Sequence, residues 1–179
     1  MVICDPSSTT FFVPMLCDRL TIRPSRPEDQ SAILSVERKA FGRKDEARLV
    51  DQLIPAPLNT VSLVAECDGL VIGHILLTEI EAPVRALALA PLAVLADYRE
   101  MQVGSALVRA AIETARSEGF DAIFVLGDVF YYERFGFSSK LADPFSVRWQ
   151  GRQFMVLELK EGVLKGRKGK LEYPEPFLR

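Results

Sequence analysis

The sequence contains few of the residues from which disulfide frameworks and zinc sites are built. Only three of its 179 residues are cysteine, and only one is histidine. Cys4, Cys17 and Cys67 are too few and too widely spaced for a disulfide framework or a zinc site. We therefore expect free thiols in a reducing compartment and no bound metal.

Long apolar runs and a strong excess of one charge are also absent. No uninterrupted apolar segment approaches the roughly 20 residues that cross a bilayer. The N-terminal segment lacks a basic region and contains Asp5 and Pro6, which argues against a signal peptide. A formal net charge of −2 offers no electrostatic reason to bind nucleic acid. We predict a cytoplasmic protein that has neither a membrane nor a nucleic acid as its partner.

The composition is that of an ordinary globular protein, with 49% hydrophobic and 26% charged residues. Residues 1–16 show no strong pattern and are predicted to be an irregular lead-in. Residues 17–179 are predicted to form a single domain, since no linker, repeat or low-complexity segment interrupts them. Apolar periodicity predicts the element order β-α-α-β-β-β-α-β-α-β-β, an α/β domain with a mixed sheet.

Local signals set the expected boundaries of these elements. Ser25 is a candidate helix N-cap, Gly42 a candidate helix end, and Asp68-Gly69 a hairpin turn. The predicted helices run from Ser25 to Gly42 and over 45–54, 103–117 and 130–135. The predicted strands span 16–22, 61–66, 70–78, 86–95, 122–126, 146–149 and 154–160.

One predicted strand leads directly into a polar turn and then into an amphipathic helix. The strand ends at Leu92–Leu95, and the helix begins near Val103. A helix that starts just beyond a strand presents unpaired backbone N–H groups and the positive end of its dipole. This connection suits a phosphate group, although many α/β domains contain such a connection without a ligand.

An aromatic segment follows the apolar strand 122–126. Asp128 is expected to cap a short helix there, and Tyr131 is expected to pack against its neighbours. From the residues alone the segment is either an aromatic cap on the core or part of a site. Its sequence is Gly127-Asp128-Val129-Phe130-Tyr131-Tyr132-Glu133-Arg134-Phe135-Gly136-Phe137.

Together these two segments resemble the GNAT N-acetyltransferases. The acetyl-CoA turn of that family has the pattern Gln/Arg-x-x-Gly-x-Gly/Ala, and this chain has Arg99-x-x-Gln102-x-Gly104, so one family glycine is missing. In the second motif of the family a tyrosine stands four residues before a Gly-Phe pair, as Tyr132 does before Gly136-Phe137. Residues 71–78 and 169–177 resemble one bacterial branch of predicted GNAT acetyltransferases, and the similarity covers roughly residues 17–177.

The resemblance implies a strongly bent mixed sheet flanked by helices, whose fourth and fifth strands separate to admit the pantetheine arm of acetyl-CoA. The arm would pair with the fourth strand as an added strand does, and main-chain N–H groups of the turn would hold the pyrophosphate. Gln102 can donate its own N–H if its backbone is helical; its side chain then points away from the phosphate or adds a hydrogen bond. The implied cofactor-binding residues are Leu92, Ala93, Val94, Arg99, Glu100, Met101, Gln102, Val103, Gly104 and Ser105.

The resemblance also implies direct transfer of an acetyl group from acetyl-CoA to a primary amine of a small molecule or a peptide. Tyr132 would be the general acid that protonates the departing thiolate. Glu79 and Glu81, near the end of the third strand, are the candidate bases. His74 is expected instead to be a hydrogen-bonded core residue. The acceptor amine is not identified, and the sequence leaves a homodimer open.

Two other kinds of protein are compatible with the same sequence. A non-catalytic acyl-CoA-binding or regulatory module would share the fold, with Gln102 marking a degraded cofactor site. A structural or partner-binding protein would have an empty cleft. Binding of acetyl-CoA without turnover would indicate the first, and the absence of any affinity for coenzyme A would indicate the second.

Overall fold

The computed structural model describes residue 17 and residues 19–178, so the predicted lead-in 1–16 lies outside the described residues. Within them, no helix is both long and apolar enough to span a membrane. The helices are α1 (Gln30–Phe41), α2 (Asp45–Leu53), α3 (Val103–Ser117), α4 (Val129–Glu133) and α5 (Ser139–Ala142). The strands are β1 (Leu20–Pro24), β2 (Thr60–Cys67), β3 (Leu70–Ile80), β4 (Ala86–Val94), β5 (Ala122–Leu126), β6 (Phe145–Ser146), β7 (Phe154–Glu158) and β8 (Gly169–Lys170).

Six of the strands form one sheet in the order β1-β2-β3-β4-β5-β7. Only the β4–β5 pair is parallel, which confirms the mixed α/β sheet flanked by helices that the sequence predicts. The predicted strand over 146–149 is wrong: β6 is two residues long and pairs with β8 in a separate small sheet. Helix α5, which has only four residues, was not predicted because so short an element has no apolar period.

The helices cover opposite faces of the sheet. Val64 and Leu76 pack against α1 and α2, whereas their strand neighbours Leu63 and Ile75 pack in the cluster that contains Leu107 of α3. Successive side chains of a strand point to opposite faces, so the long apolar runs of β2 and β3 bury both. This two-sided burial places β2 and β3 at the centre of the core.

The ladder between β4 and β5 is short. It contains four residue pairs and ends at Leu89–Val125, whereas β4 continues to Val94 with β3 as its partner. Pro91, in the separated part of β4, has no backbone N–H to donate. We call the region beyond Leu89 and Val125 the fork. It is the separation of the fourth and fifth strands that the family resemblance implies.

Cys17 and Cys67 form a disulfide, with a Cα–Cα distance of 5.7 Å. The expectation of free thiols is therefore wrong for these two residues, while Cys4 lies outside the described part of the chain. They are 50 residues apart in the sequence, and only the pairing of β1 with β2 brings them together. Among the residues described, the one group with metal-ligand spacing is Cys17, Cys67 and Asp68, and its two sulfurs are bonded to each other.

An ion-pair cluster ties β1 and β2 to the entrance of α1. The Arg23 guanidinium donates to Asp29 at 2.7 Å and to Glu66 at 2.7 Å, and the Arg26 backbone N–H donates to Asp29 at 2.8 Å. Asp29, rather than the predicted Ser25, therefore accepts the hydrogen bond from a backbone N–H group at the entrance of the helix. The pKa of Asp29 is lowered to about 2, mainly by the hydrogen bond from Arg23.

We expect the Asp29→Asn substitution to lower the free energy of unfolding at pH 7 by at most about 2 kcal/mol, from 1.36 kcal/mol per pKa unit. Because the pKa of Asp29 is lower in the folded state, its carboxylate stabilises the fold above pH 3.8, the unfolded pKa. This stabilisation is lost as the pH falls towards 2. The wild type should therefore lose stability between pH 4 and pH 2 more steeply than the variant. Urea denaturation at pH 7, 4, 3 and 2 measures both effects.

Glu113→Gln is the matched control, because Glu113 forms an exposed pair with Arg116 on α3. Such surface pairs contribute about 0.5 kcal/mol or less. Equal effects of Asp29→Asn and Glu113→Gln at pH 7 would contradict the structural role of Asp29.

Candidate active site

A cavity of about 580 Å³ opens between the separated end of β4, the turn after it, and the start of α3. Nine of the ten predicted cofactor-binding residues line it, and the tenth, Met101, packs against the core instead. The cavity is also lined by five residues that were not predicted as cofactor contacts. The lining residues are Ala40, Phe41, Leu92, Ala93, Val94, Tyr98, Arg99, Glu100, Gln102, Val103, Gly104, Ser105, Tyr131 and Arg134.

The inner wall of the cavity is the separated part of β4. Leu92, Ala93 and Val94 pair with β3 on one edge, while β5 pairs with β4 only as far as Leu89. The other edge of these three residues therefore has no strand partner. An extended ligand with amide groups can hydrogen-bond to such an edge as an added strand would.

The turn that leads into α3 has a left-handed backbone at two positions. The φ angle is +68° at Glu100 and +61° at Gln102. The helical backbone on which the predicted N–H donation by Gln102 depended is therefore not found, because Gln102 stands as the N-cap of α3 in the left-handed region. This is the conformation for which glycine is favoured, and it explains why the family pattern has glycine here.

The first turn of α3 directs unpaired backbone N–H groups at the cavity. The first bond within the helix runs from the Ala106 N–H to the Gln102 carbonyl, so the N–H groups of residues 103–105 have no partner inside the helix. No side chain caps this end of the 15-residue helix. Together with the helix dipole, these donors make a site for an anion such as a phosphate.

Gly104 leaves room for the hydroxyl group of Tyr131. An added Cβ atom there would lie 2.9 Å from the Tyr131 hydroxyl oxygen, closer than real Cβ contacts allow. The Tyr131 hydroxyl also lies near the buried side chain of Ser105, whose interaction with it opposes the rise that burial causes in the pKa of Tyr131. The aromatic segment therefore meets the phosphate turn at Gly104, although 27 positions separate the two residues in the sequence.

Two arginines place positive charge at the cavity. Arg99 donates to the Ala40 carbonyl at 2.7 Å and so links the turn to the end of α1. Arg134 lies over the Tyr131 ring, with its guanidinium carbon 4.6 Å from the ring centroid. Both side chains line the cavity, and both suit a ligand that carries phosphates.

The neighbouring tyrosines of α4 have different environments. Tyr131 packs against the core cluster, as predicted, and it also lines the cavity, which was not predicted. Tyr132 does not line it: its side chain is 8% exposed and lies in the core, with its ring 2.6 Å from the position of an added Cβ on Gly127. Gly127 directly follows β5, so the Tyr132 ring lies beside the fork. Burial raises the pKa of both phenols, that of Tyr132 far above its usual value.

The two candidate bases lie away from this cavity. Glu79 pairs across the ladder with Leu87, near the beginning of β4, and its carboxylate contacts Asn59 and, at 3.6 Å, Arg85. Glu81 forms a backbone bridge with a residue of the C-terminal segment. Five residues of strand separate Leu87 from Leu92, a distance of about 16 Å at 3.3 Å per residue. The structure does not bring these carboxylates to the cofactor cavity.

His74 is a hydrogen-bonded core residue, as predicted. It is 0% exposed, with Nδ1 2.7 Å from the Glu37 carboxylate and Nε2 3.1 Å from the Ser62 hydroxyl. Burial raises the pKa of Glu37, and the hydrogen bond with His74 opposes that shift. Asp128 likewise has its predicted role, since it caps α4 by accepting from the Tyr131 N–H at 2.7 Å.

Sequence reasoning missed the α1 side of the cavity. Ala40 and Phe41 lie at the end of α1 and carry no recognisable signal, because only the folded sheet places that helix end beside the turn. Tyr131 and Arg134 did carry a signal, since both lie in the aromatic segment. What the sequence did not reveal is which face of so short a helix points to the cavity.

Comparison with known proteins agrees with this arrangement. The model of the acetyltransferase (GNAT) family matches residues 30–137. The uncharacterized N-acetyltransferase YhbS of Escherichia coli is 32% identical over 166 residues, which cover 89% of this chain and 99% of YhbS. The uncharacterized N-acetyltransferase YjhQ of the same organism is 38% identical over 137 residues, covering 72% of this chain and 75% of YjhQ.

Two solved structures extend the comparison. YhbS from Escherichia coli in complex with CoA superimposes with a TM-score of 0.85 at 33% identity, over 90% of this chain and 93% of YhbS. A GNAT family acetyltransferase from Brucella melitensis in complex with acetyl-CoA gives a TM-score of 0.75 at 29% identity, over 89% of this chain and 98% of the other. The chain belongs to the GNAT family of acetyl-CoA-dependent N-acetyltransferases.

We expect the Gln102→Gly substitution to leave the Kd for acetyl-CoA equal or lower and to raise the free energy of unfolding by about 1 kcal/mol. The reason is that glycine adopts the observed left-handed backbone without the steric cost that glutamine has there. Titration calorimetry with acetyl-CoA and urea denaturation measure the two effects.

Gln102→Ala is the control, because alanine removes the same amide group but keeps the Cβ atom. It should show no gain in stability. A tenfold loss of acetyl-CoA affinity in both variants would show that the glutamine side chain itself contacts the cofactor.

Proposed function

We propose that this chain transfers an acetyl group from acetyl-CoA to a primary amine by direct attack. The observation that carries the proposal is the cavity at the fork, where a strand edge without a partner and the uncapped start of α3 converge. The first suits the amide groups of a pantetheine arm, and the second suits a pyrophosphate. An acyl-CoA carries both groups.

The proposed binding mode follows the lining of the cavity. The pyrophosphate accepts hydrogen bonds from the backbone N–H groups at the start of α3, with Arg99 and Arg134 beside it. The pantetheine arm lies along Leu92–Val94 and points towards the fork. Because β5 is no longer paired with β4 there, the thioester can enter the gap between the two strands.

In the proposed reaction the amine nitrogen attacks the thioester carbonyl carbon. A backbone N–H of β4 stabilises the oxyanion of the tetrahedral intermediate. The C–S bond then breaks, the amide remains on the acceptor, and the thiolate of coenzyme A leaves. The ammonium form of the amine gives one proton to water before it attacks, and the nitrogen loses a second proton to water afterwards. Tyr132, which protonates the thiolate, recovers its proton from solvent, so one proton is released overall. Glu79 and Glu81 can receive it only through intervening water, given their distance from the cavity, and this role stays a prediction.

Tyr132 is the proposed general acid. Its ring lies against Gly127 beside the fork, and its raised pKa keeps the phenol protonated at neutral pH. A free thiol has a pKa of about 8.5, so the departing thiolate takes up a proton at neutral pH, and a neighbouring phenol can supply it.

We expect Tyr132→Phe to lower kcat by about 100-fold, within the usual range for general acid catalysis, and to leave the Kd for acetyl-CoA within about twofold. Tyr131→Phe should do the opposite: it removes the hydroxyl that contacts Ser105 at the phosphate end, so the Kd should rise while kcat changes little. Release of free coenzyme A in the presence of an amine panel measures kcat, and calorimetry measures the Kd.

The pair of variants separates the proposal from its rivals. Unchanged kcat in Tyr132→Phe together with a large loss in Tyr131→Phe would assign the acid to Tyr131. Tight binding of acetyl-CoA by the wild type without turnover of any amine would indicate a non-catalytic acyl-CoA-binding module.

A further inference from the structure

A second cavity adjoins the fork, and we infer that it binds a ring-sized apolar group attached to the acceptor amine. This inference rests on the proposed function and adds the class of substrate to it. The second cavity has a volume of about 320 Å³, and we call it the aromatic cavity. Its walls include Ala90 of β4, Phe124 and Leu126 of β5, and the rings of Trp149, Tyr173 and Phe177.

The walls of the aromatic cavity are apolar, and its rings are held in place. The Trp149 and Tyr173 rings meet edge to face with centroids 5.1 Å apart, and Tyr173 and Phe177 do so at 5.4 Å. None of the residues that line the cavity is charged. Edge-to-face pairs of this kind stabilise one arrangement of rings, so the cavity is a preformed apolar site.

The two cavities border the same stretch of β4. Ala90 and Leu126 are the first residues beyond the last β4–β5 pair, and both line the aromatic cavity. Leu92, two residues further along β4, lines the cofactor cavity. Two residues of strand span about 7 Å. An acceptor held in the aromatic cavity can therefore present its nitrogen to a thioester that arrives along Leu92–Val94.

The size of the aromatic cavity exceeds what an acetyl group needs. An apolar cavity of about 150 Å³ is enough to hold benzene. The aromatic cavity has about twice that volume, which corresponds to one ring and a short linker. The acetyl group itself would fill only a small part of it, so most of the space is available to the acceptor.

The charged groups around the aromatic cavity lie on two sides of it. Tyr173 also borders a depression lined by Glu79, Glu81 and Glu172, with no basic residue in its lining, and Arg85 and Lys170 pair with two of these carboxylates. Trp149 and Tyr173 border a further depression, whose lining includes Arg148 and Lys170. These three carboxylates and three cations balance, so a protonated amine is attracted only locally, towards the carboxylates of the first depression. We assign the amine, and not a long acyl chain, to the aromatic cavity because the acetyl group of acetyl-CoA would leave most of it empty.

Trp149 is the only tryptophan in the sequence, so its fluorescence reports directly on the aromatic cavity. The first experiment titrates the protein, saturated with CoA so that no reaction occurs, with 2-phenylethylamine and separately with ethylamine. We expect a saturable change in emission with 2-phenylethylamine and none with ethylamine over the same range of concentrations. This measurement does not depend on turnover.

The second experiment measures kcat/KM with acetyl-CoA for the same two amines. We expect 2-phenylethylamine to exceed ethylamine at least tenfold. Trp149→Ala, which removes a wall, and Ala90→Leu, which fills the space, should each lower kcat/KM for 2-phenylethylamine at least tenfold and so remove most of its advantage over ethylamine. Leu70→Ala is the control, because Leu70 is 64% exposed at the β2–β3 hairpin and lines none of the cavities and depressions discussed.

The outcomes separate this inference from the function on which it rests. Absence of acetyl-CoA binding or of turnover with every amine would overturn the proposed function. Turnover of both amines at equal kcat/KM, with no change in Trp149 emission, would overturn only the substrate class. A change in emission with hexanoyl-CoA but not with 2-phenylethylamine would show that the cavity holds an acyl chain, and would overturn the inference in favour of that occupant.

Discussion

The end of backbone pairing between β4 and β5, at Leu89–Val125, is the constraint on which the site depends. Backbone N–H and C=O groups that lose a strand partner must be satisfied in another way, and beyond this pair the edge of β4 is left for a ligand. The cofactor cavity borders the separated strand on one side and the aromatic cavity borders it at the fork. If β4 and β5 stayed paired beyond these residues, there would be no gap between them in which the thioester and the amine could meet as proposed.

The phosphate end of the cofactor cavity depends on a second contact, between the Tyr131 hydroxyl and Gly104. The space for this hydroxyl exists because Gly104 has no side chain, and the left-handed backbone at Gln102 turns the start of α3 towards the same point. The turn and α4 thus form one unit, and Arg134 extends it by lying over the Tyr131 ring. This coupling is the physical reason that two motifs distant in the sequence belong to one site.

Sequence reasoning was most successful for elements with a strong local pattern. The bounds of α3 and β5 agree with the prediction, because their apolar periods are long or uninterrupted and their ends are marked. It was least successful in predicting whether a side chain lies in the core or lines the cavity. Tyr131 and Tyr132 are equally aromatic and adjacent, so only the packing of α4 on Gly127 and Phe137 decides that Tyr132 is the buried one. The Cys17–Cys67 bond was missed for a similar reason, since its partners meet only after β1 pairs with β2.

The sequence by itself determined the order of the strands and helices from β1 to α4 and the mixed sheet. These follow from local rules of periodicity, capping and turn chemistry, which act over a few neighbouring residues. The family and the residues of the phosphate turn were predicted from the resemblance of two motifs to the GNAT acetyltransferases. Only the tertiary structure decided where β4 and β5 separate, which tyrosine lines the cofactor cavity, and that Glu79 and Glu81 lie far from it. It also brought Trp149, Tyr173 and Phe177 together beside the fork. Those features depend on contacts between residues far apart in the chain, and no local pattern records them.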